Sequence, residues 1–334
     1  MNNTGPEGIV PSAASGGGEA GLRPAAPGPA EGARRVAAID LGSNSTRLLV
    51  ADVENGRVEE VARGLKITRL GEGVDARGRL LPLPIARVRN CLAEYRRRLE
   101  QLGAERTLVV ATSAVRDAEN GEAFLGEIEW SYGFATRLLS GDEEARLTLR
   151  GVTAGREVPA GTMVVDIGGG STELILTERR FSLDLGCVRM TERFGDDLDA
   201  CAASVRSELP ELGVAAAIGV AGTVTSLAAL DLGLVEYDPE RIHGHRLSRD
   251  AVQAQLERLA SLPLEERRRV PGLEPERAPV IVAGAVILRE ILDRYGLAEI
   301  EVSEHDLLHG IALEAAELPS AAEGDAPSGA HTCC

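Results

Sequence analysis

The sequence predicts an α/β protein built as two domains, on three observations. Short apolar runs of strand length alternate with stretches of helical periodicity. A strand, an Asp, a Gly/Ser turn and a second strand occur twice, 126 residues apart. The charge is also uneven: residues 36–142 hold 15 basic and 16 acidic side chains, against 18 and 31 in residues 143–318. Formal charges of −1 and −13 on the two halves fit two separate units.

Taken in order, Val36–Leu41 and Thr46–Val53 read as strands about a tight turn, and Arg57–Leu65 as a third. Ile85, Val88, Leu92, Tyr95, Leu99 and Leu102 recur at helical spacing, and Gly103 stops that helix. Thr107–Thr112 is a short apolar strand. The second half repeats the opening: strand Thr162–Ile167, a glycine turn, then strands Glu173–Glu178 and Phe181–Val188. A strand at Ala215–Ala221, a helix from Thr223, a long helix over 276–294 ended by Gly296, and a last helix from about Asp306 to Glu317 follow.

Residues 1–35 contain eight Gly, five Pro and seven Ala, too little apolar surface to offset ordering entropy. They are expected to be a disordered extension, as is the tail 319–334. The first domain is then 36–142 and the second 143–318, with the last helix, about 306–317, free to pack back on the first.

Composition excludes several classes. A formal charge of −16 repels polyanions, which argues against nucleic acid and anionic membrane surfaces as partners. No apolar run reaches the roughly 18–20 residues of a membrane helix, and no secretory signal is visible, so a cytoplasmic protein is expected. The five Cys, at 91, 187, 201, 333 and 334, are spaced for neither zinc nor a disulfide framework. Of 36 basic residues only Lys66 is a lysine, a genome-level bias that gives a lone Arg little weight.

Chemistry concentrates in five segments. The repeated turns are Asp40-Leu-Gly42-Ser43-Asn44-Ser45-Thr46 and Asp166-Ile-Gly168-Gly169-Gly170-Ser171-Thr172-Glu173. Small residues let backbone N–H groups converge on an anion, and the Asp beside each turn can hold Mg²⁺ next to a phosphate. Ser140-Gly-Asp-Glu-Glu144-Ala-Arg lies where the charge blocks meet. It reads first as a capped helix start, which leaves room for a carboxylate placed at a cleft to activate water. Ala111-Thr-Ser-Ala-Val-Arg116 and Val220-Ala-Gly-Thr-Val-Thr-Ser are strand-to-helix turns, the first with an Arg suited to phosphate. His243 and His245 stand two apart without further ligands nearby, which favours loop structure or substrate contact over metal.

In this order the segments resemble the exopolyphosphatase / guanosine pentaphosphate phosphohydrolase (Ppx/GppA) family across nearly all of 36–318, in a short form without the C-terminal helical domain of many relatives. The resemblance implies two RNase H-like domains of the actin / Hsp70 / sugar kinase superfamily with the active site in the cleft. It implies release of the terminal phosphate from polyphosphate, or of the 5′ γ-phosphate from pppGpp, with Mg²⁺ (or Mn²⁺) as cofactor and a homodimer as assembly. Carried onto this chain, Glu144 is the general base, and Asp166, Glu173 and Asp40 are the metal and water-positioning acids. Gly42, Ser43, Asn44, Ser45 and Arg47 form one phosphate loop, Gly168, Gly169, Gly170, Ser171 and Thr172 the other, and Arg116 contacts phosphate. The family's C-terminal pattern appears as Ser303-Glu-His-Asp-Leu-Leu308-His-Gly310, with Leu308 in place of its Arg, so no role is carried over there. Two rivals remain open: an ATP-dependent phosphotransferase of the same superfamily, and a non-catalytic sensor of (p)ppGpp or polyphosphate.

Overall fold

Every residue of Arg35–Leu41 is buried, as expected of a strand covered on both faces. In a computed structural model, which describes residues 28–30 and 32–318, this strand is the centre of the first of two sheets. The first half runs β1 (Arg34–Leu41), β2 (Ser45–Glu54), β3 (Arg57–Ile67), the one-turn α1 (Val74–Arg77), α2 (Pro82–Leu102), β4 (Arg106–Ala111), α3 (Ser113–Arg116), α4 (Gly121–Tyr132) and β5 (Ala135–Leu138). Its sheet has the order β3-β2-β1-β4-β5. β1 to β3 are antiparallel, and β4 and β5 join in parallel.

After α5 (Gly141–Val152) the second half begins: β6 (Thr162–Ile167), β7 (Thr172–Ile175), β8 (Arg180–Leu183), α6 (Cys187–Phe194), α7 (Leu198–Glu208), β9 (Ala216–Val220) and α8 (Ala221–Asp231). Then come α9 (Pro239–Ile242), β10 (Arg246–Ser248), α10 (Arg249–Ser261), α11 (Leu264–Arg267), α12 (Ile281–Arg294), β11 (Glu299–Val302) and α13 (Leu307–Glu317). The sheet order is β10-β11-β9-β6-β7-β8. Read from β8 to β11, it repeats the first sheet strand for strand, and β10 is one extra antiparallel edge.

Two helices lie between the sheets. α5 turns Ala145 and Val152 into a core with Val164, Ile175, Ile218 and Val220 of the second sheet. α13 covers the first sheet, burying Leu307, Leu308, Ile311 and Ala312 against Val36, Ala38, Leu49 and Val110. The helices also touch each other at glycines: a Cβ on Gly151 would overlap the Asp306 carbonyl, and one on Gly310 the Leu147 carbonyl.

The structure differs from the sequence reading at several elements. β1 starts at Arg34, because Arg35 pairs with Asp52 and is almost fully buried; residues 1–27 and 31 of the expected N-terminal extension, and the tail 319–334, lie outside the described residues. The strand expected over Phe181–Val188 stops at Leu183, and Cys187 opens α6, whose first amides take up loop carbonyls. The long helix starts at Ile281 rather than 276, and 276–280 form turns around Pro279. No helix among the described residues is long and apolar enough to cross a membrane.

Candidate active site

The two glycine turns have the same backbone. Gly42 N–H donates to Ser45 O at 3.0 Å, and Gly168 N–H to Ser171 O at 3.0 Å. They meet at the cleft floor, where a Cβ on Gly169 would stand 2.9 Å from Asn44 N. Ser43 Oγ lies 2.9 Å from Ser113 Oγ, tying the first loop to the strand-to-helix turn at 112–113. Asn44 is buried, and neither its Oδ1 nor its Nδ2 has a partner. Buried polar atoms are rarely left so, and these two line a cavity of about 60 Å³ between the loops.

Register sets the acids. In the first sheet Asp40 lies opposite Arg47; at the equivalent place in the second, Asp166 lies opposite Glu173. The first is an opposite-charge pair, the second two carboxylates, which repel when both are ionised. Glu144 enters from α5. Ser140 and Glu143 cap that helix reciprocally, and the next residue turns into the cleft. The cap and the cleft carboxylate therefore coexist in one segment. Glu144 is pushed well above the usual carboxylate range by burial, then by Glu173 and Asp166, against Arg116. Burial is also the main cause for Glu173, raised to about 8, and Asp166, raised to about 7.

The structure gathers Asp40, Gly42, Ser43, Asn44, Ser45, Arg47, Glu144, Asp166, Gly168, Gly169 and Ser171 around this cavity. Others stand behind it. Arg116 bonds the Leu139 carbonyl at 2.9 Å and approaches Glu144 at 3.4 Å. Thr172 is fully buried and donates its hydroxyl to Leu185 O, so that side chain is spent on the fold. Glu173 accepts from Ser182 Oγ at 2.8 Å. Gly170 faces a separate crevice beside Arg189. Arg47 reaches the cavity already paired, with Asp40 at 2.8 Å and with Asp306. The histidines are not a metal pair: His245 bonds Asp231 at 2.7 Å, and His243 accepts the Glu304 amide with its ring tilted against His305.

Two residues were missed by the sequence reading. Asp306 is the N-cap of α13 and is held well below the usual carboxylate range by Arg47 and His309, against burial. Its signal was an Asp directly before an apolar helix. Arg277 sits in the turn ahead of α12, bonds Glu274 through Nε, and lays its guanidinium over Gly222, where any Cβ would overlap it. Ala221 next to it holds a left-handed φ of 66°. Nothing local in the sequence places Arg277 at the cleft, because the Gly222 turn that it covers lies 55 residues earlier in the chain.

Arg47, Ala221, Gly222 and Arg277 also wall a larger chamber of about 580 Å³. It holds Arg47, Arg63 and Arg277, each matched by carboxylates: Asp40 and Asp306, Glu60 and Glu304, and Glu274. Leu65, Val235, Tyr237, Leu273 and Leu308 supply apolar wall.

Among the described residues no three His, Cys, Asp or Glu side chains group closely enough to hold a metal ion alone. The donors nevertheless fit a hard cation completed by substrate oxygens. Asp40 Oδ1 is buried without a partner, and Asp166 and Glu173 stand opposed, with Arg47 and Arg116 offsetting their charge only in part. Their raised pKa values set a sign. The folded state keeps protons that the unfolded chain has lost, so this contribution is complete below the unfolded carboxylate value and lost as pH rises through the folded one. His243 and His305 are lowered, mainly by burial, and work oppositely, but only below about pH 6.5. In chelator, Tm should therefore fall from pH 6.5 to 8, and Glu173→Gln should flatten the fall. A Tm that climbs over this range in the parent protein would contradict the cluster as described.

A model of the Ppx/GppA phosphatase family matches residues 49–318. Exopolyphosphatase 2 of Mycobacterium tuberculosis is 39% identical over 319 residues, covering 84% of this chain and 98% of that protein. The guanosine-5′-triphosphate,3′-diphosphate pyrophosphatase of Photobacterium profundum is 31% identical, over 83% of this chain and 58% of its own length. Among solved structures, an exopolyphosphatase-like protein superposes with a TM-score of 0.78 at 34% identity, over 84% of this chain and 98% of its own. The Aquifex aeolicus Ppx/GppA family member gives 0.70 at 30%, over 84% and 97%.

Proposed function

Since the chain belongs to the Ppx/GppA phosphatase family, and is thus a hydrolase of polyphosphate or pppGpp, we propose a Mg²⁺-dependent mechanism in which Glu144 activates the attacking water. The observation that carries this reading is the position of Glu144: buried, raised in pKa, and facing a cavity walled by two phosphate loops. A base tuned toward neutral pH is effective at accepting a proton in the transition state. Glu144 takes the proton of the water attacking the terminal phosphorus, and Arg116 holds its carboxylate from behind. The loop amides of Gly42–Ser45 and Gly168–Ser171 donate to phosphoryl oxygens, whose charge spreads as the bond to the leaving phosphate breaks. Asp166, with Asp40 and Glu173, would hold Mg²⁺, which would neutralise charge on the phosphate oxygens.

The chamber supports pppGpp over a long inorganic chain. Its arginines are matched by acids and its walls are largely apolar, which suits a nucleoside better than successive phosphates. Phosphate release with Mg²⁺ should therefore show higher kcat/KM for pppGpp than for long-chain polyphosphate, measured side by side. Equal or reversed values would return the preference to polyphosphate. Requirement for ATP and an acceptor would favour the phosphotransferase reading instead.

Arg277 should ground the substrate's charge between cavity and chamber. Arg277→Gln is expected to lower kcat/KM by about 10- to 100-fold, the worth of one charge-assisted contact. Gly222→Ala, which displaces that guanidinium, should reproduce the loss, and the double variant should add little to either. Independent, multiplying losses would show that Gly222 matters for another reason.

A further inference from the structure

One helix outside the catalytic set touches both halves of the cleft. α6 follows β8, and its first amides bond the second phosphate loop: Cys187 N–H to Gly168 O at 3.0 Å, and Val188 N–H to Gly169 O at 2.8 Å. Its side chains at 189, 192 and 193 share one face, as residues three and four apart do. All three reach the first domain. Arg189 pairs with Asp75 at 2.5 Å and with Asp117, while its Nε donates to Gly170 O at 2.8 Å. Arg193 grips Asp75 through two nitrogens, at 2.7 Å each. Glu192 accepts the Gly73 amide at 3.0 Å. Arg189 is only 10% exposed, and Asp184 of its own domain is the further acid nearby, at 3.8 Å.

We propose that Arg189 is a positioning residue that latches the cleft shut and, through Gly170 and α6, holds the second phosphate loop in register with the first. It reaches across to Asp117, the residue after Arg116, so the same guanidinium links the second loop to the turn that supports Glu144. The inference rests on the cleft being the phosphohydrolase site. A latch acts on the fraction of molecules closed before substrate arrives. If that fraction falls tenfold, apparent affinity falls about tenfold, while turnover at saturation is largely kept.

The test compares Arg189→Gln, the pair Asp75→Asn/Asp117→Asn, and all three together. Each is measured for KM and kcat, for tripolyphosphate binding by calorimetry, and for radius of gyration by solution scattering. Arg189→Gln is expected to raise KM and the tripolyphosphate Kd about tenfold with kcat within threefold, and to enlarge the free protein. The aspartate pair, which also frees Arg193, should do at least the same, and the triple variant should be no worse than the pair. A parent-like KM and radius in Arg189→Gln would overturn the latch. So would losses that multiply in the triple variant, or a loss in Arg189→Gln that the aspartate pair does not share. Calorimetry and scattering do not depend on turnover, so they judge the latch even if the proposed reaction fails.

Discussion

Glu144→Gln should abolish most turnover and leave binding in place. A positioned base contributes roughly 10²–10⁴-fold, so kcat should fall by that factor. The Kd for tripolyphosphate should stay within about threefold, because no loop amide is touched. The swap keeps the side chain's volume and removes one charge from a cluster in which Glu144, Asp166 and Glu173 all raise one another's cost of ionisation. The variant should therefore melt no lower than the parent at pH 8. That combination separates a lost base from a damaged fold. Near-parental hydrolysis would move the base elsewhere, and Glu173 would be the next candidate.

Gly310→Ala and Gly151→Ala should be strongly damaging single-methyl changes. In an exposed helix, replacing Gly by Ala stabilises by about 0.5–1 kcal/mol. Here the added carbon would overlap a backbone carbonyl of the facing helix, Leu147 for Gly310 and Asp306 for Gly151. A backbone oxygen cannot rotate away, so α5 and α13 must separate, at about 1–3 kcal/mol or more. Gly126 on α4, with nothing within 4 Å of a Cβ, is the control and should gain stability. Denaturant unfolding of the three variants checks the sign. A gain for Gly310→Ala would mean that the helices have slack between them.

What was legible in the sequence followed from local periodicity. Val36–Leu41 and Thr162–Ile167 announced themselves as buried strands because both faces are apolar, and the turn after each was plain from its glycines. Ser140 and Glu143 likewise signalled a helix start from spacing alone. The short strands at 135–138, 246–248 and 299–302 escape a reading by pattern because three or four residues are too few to show alternation. Cys187 and Val188, the start of α6, read as the end of a strand because they extend an apolar run; their amides instead bond the Gly168 and Gly169 carbonyls, which is a tertiary contact. The candidate site divides the same way. Both loops and Glu144 sit in motifs, whereas Asp306 and Arg277 acquire their positions only when distant segments meet. Arg47 was assigned to phosphate without its two acidic partners in view, since Asp306 is 259 residues away.

The placement of α13 sets how the molecule comes apart. α13, the last helix among the described residues, finishes the core of the sheet formed by β1 to β5, and α5 lies between it and the other sheet. Stripping α13 away would bare Val36, Ala38, Leu49 and Val110 together, leaving the first sheet a core on its other face only. Heat should accordingly produce one transition with equal calorimetric and van't Hoff enthalpies, and a ribosome-bound chain should not complete its first sheet until its final turn of helix has emerged.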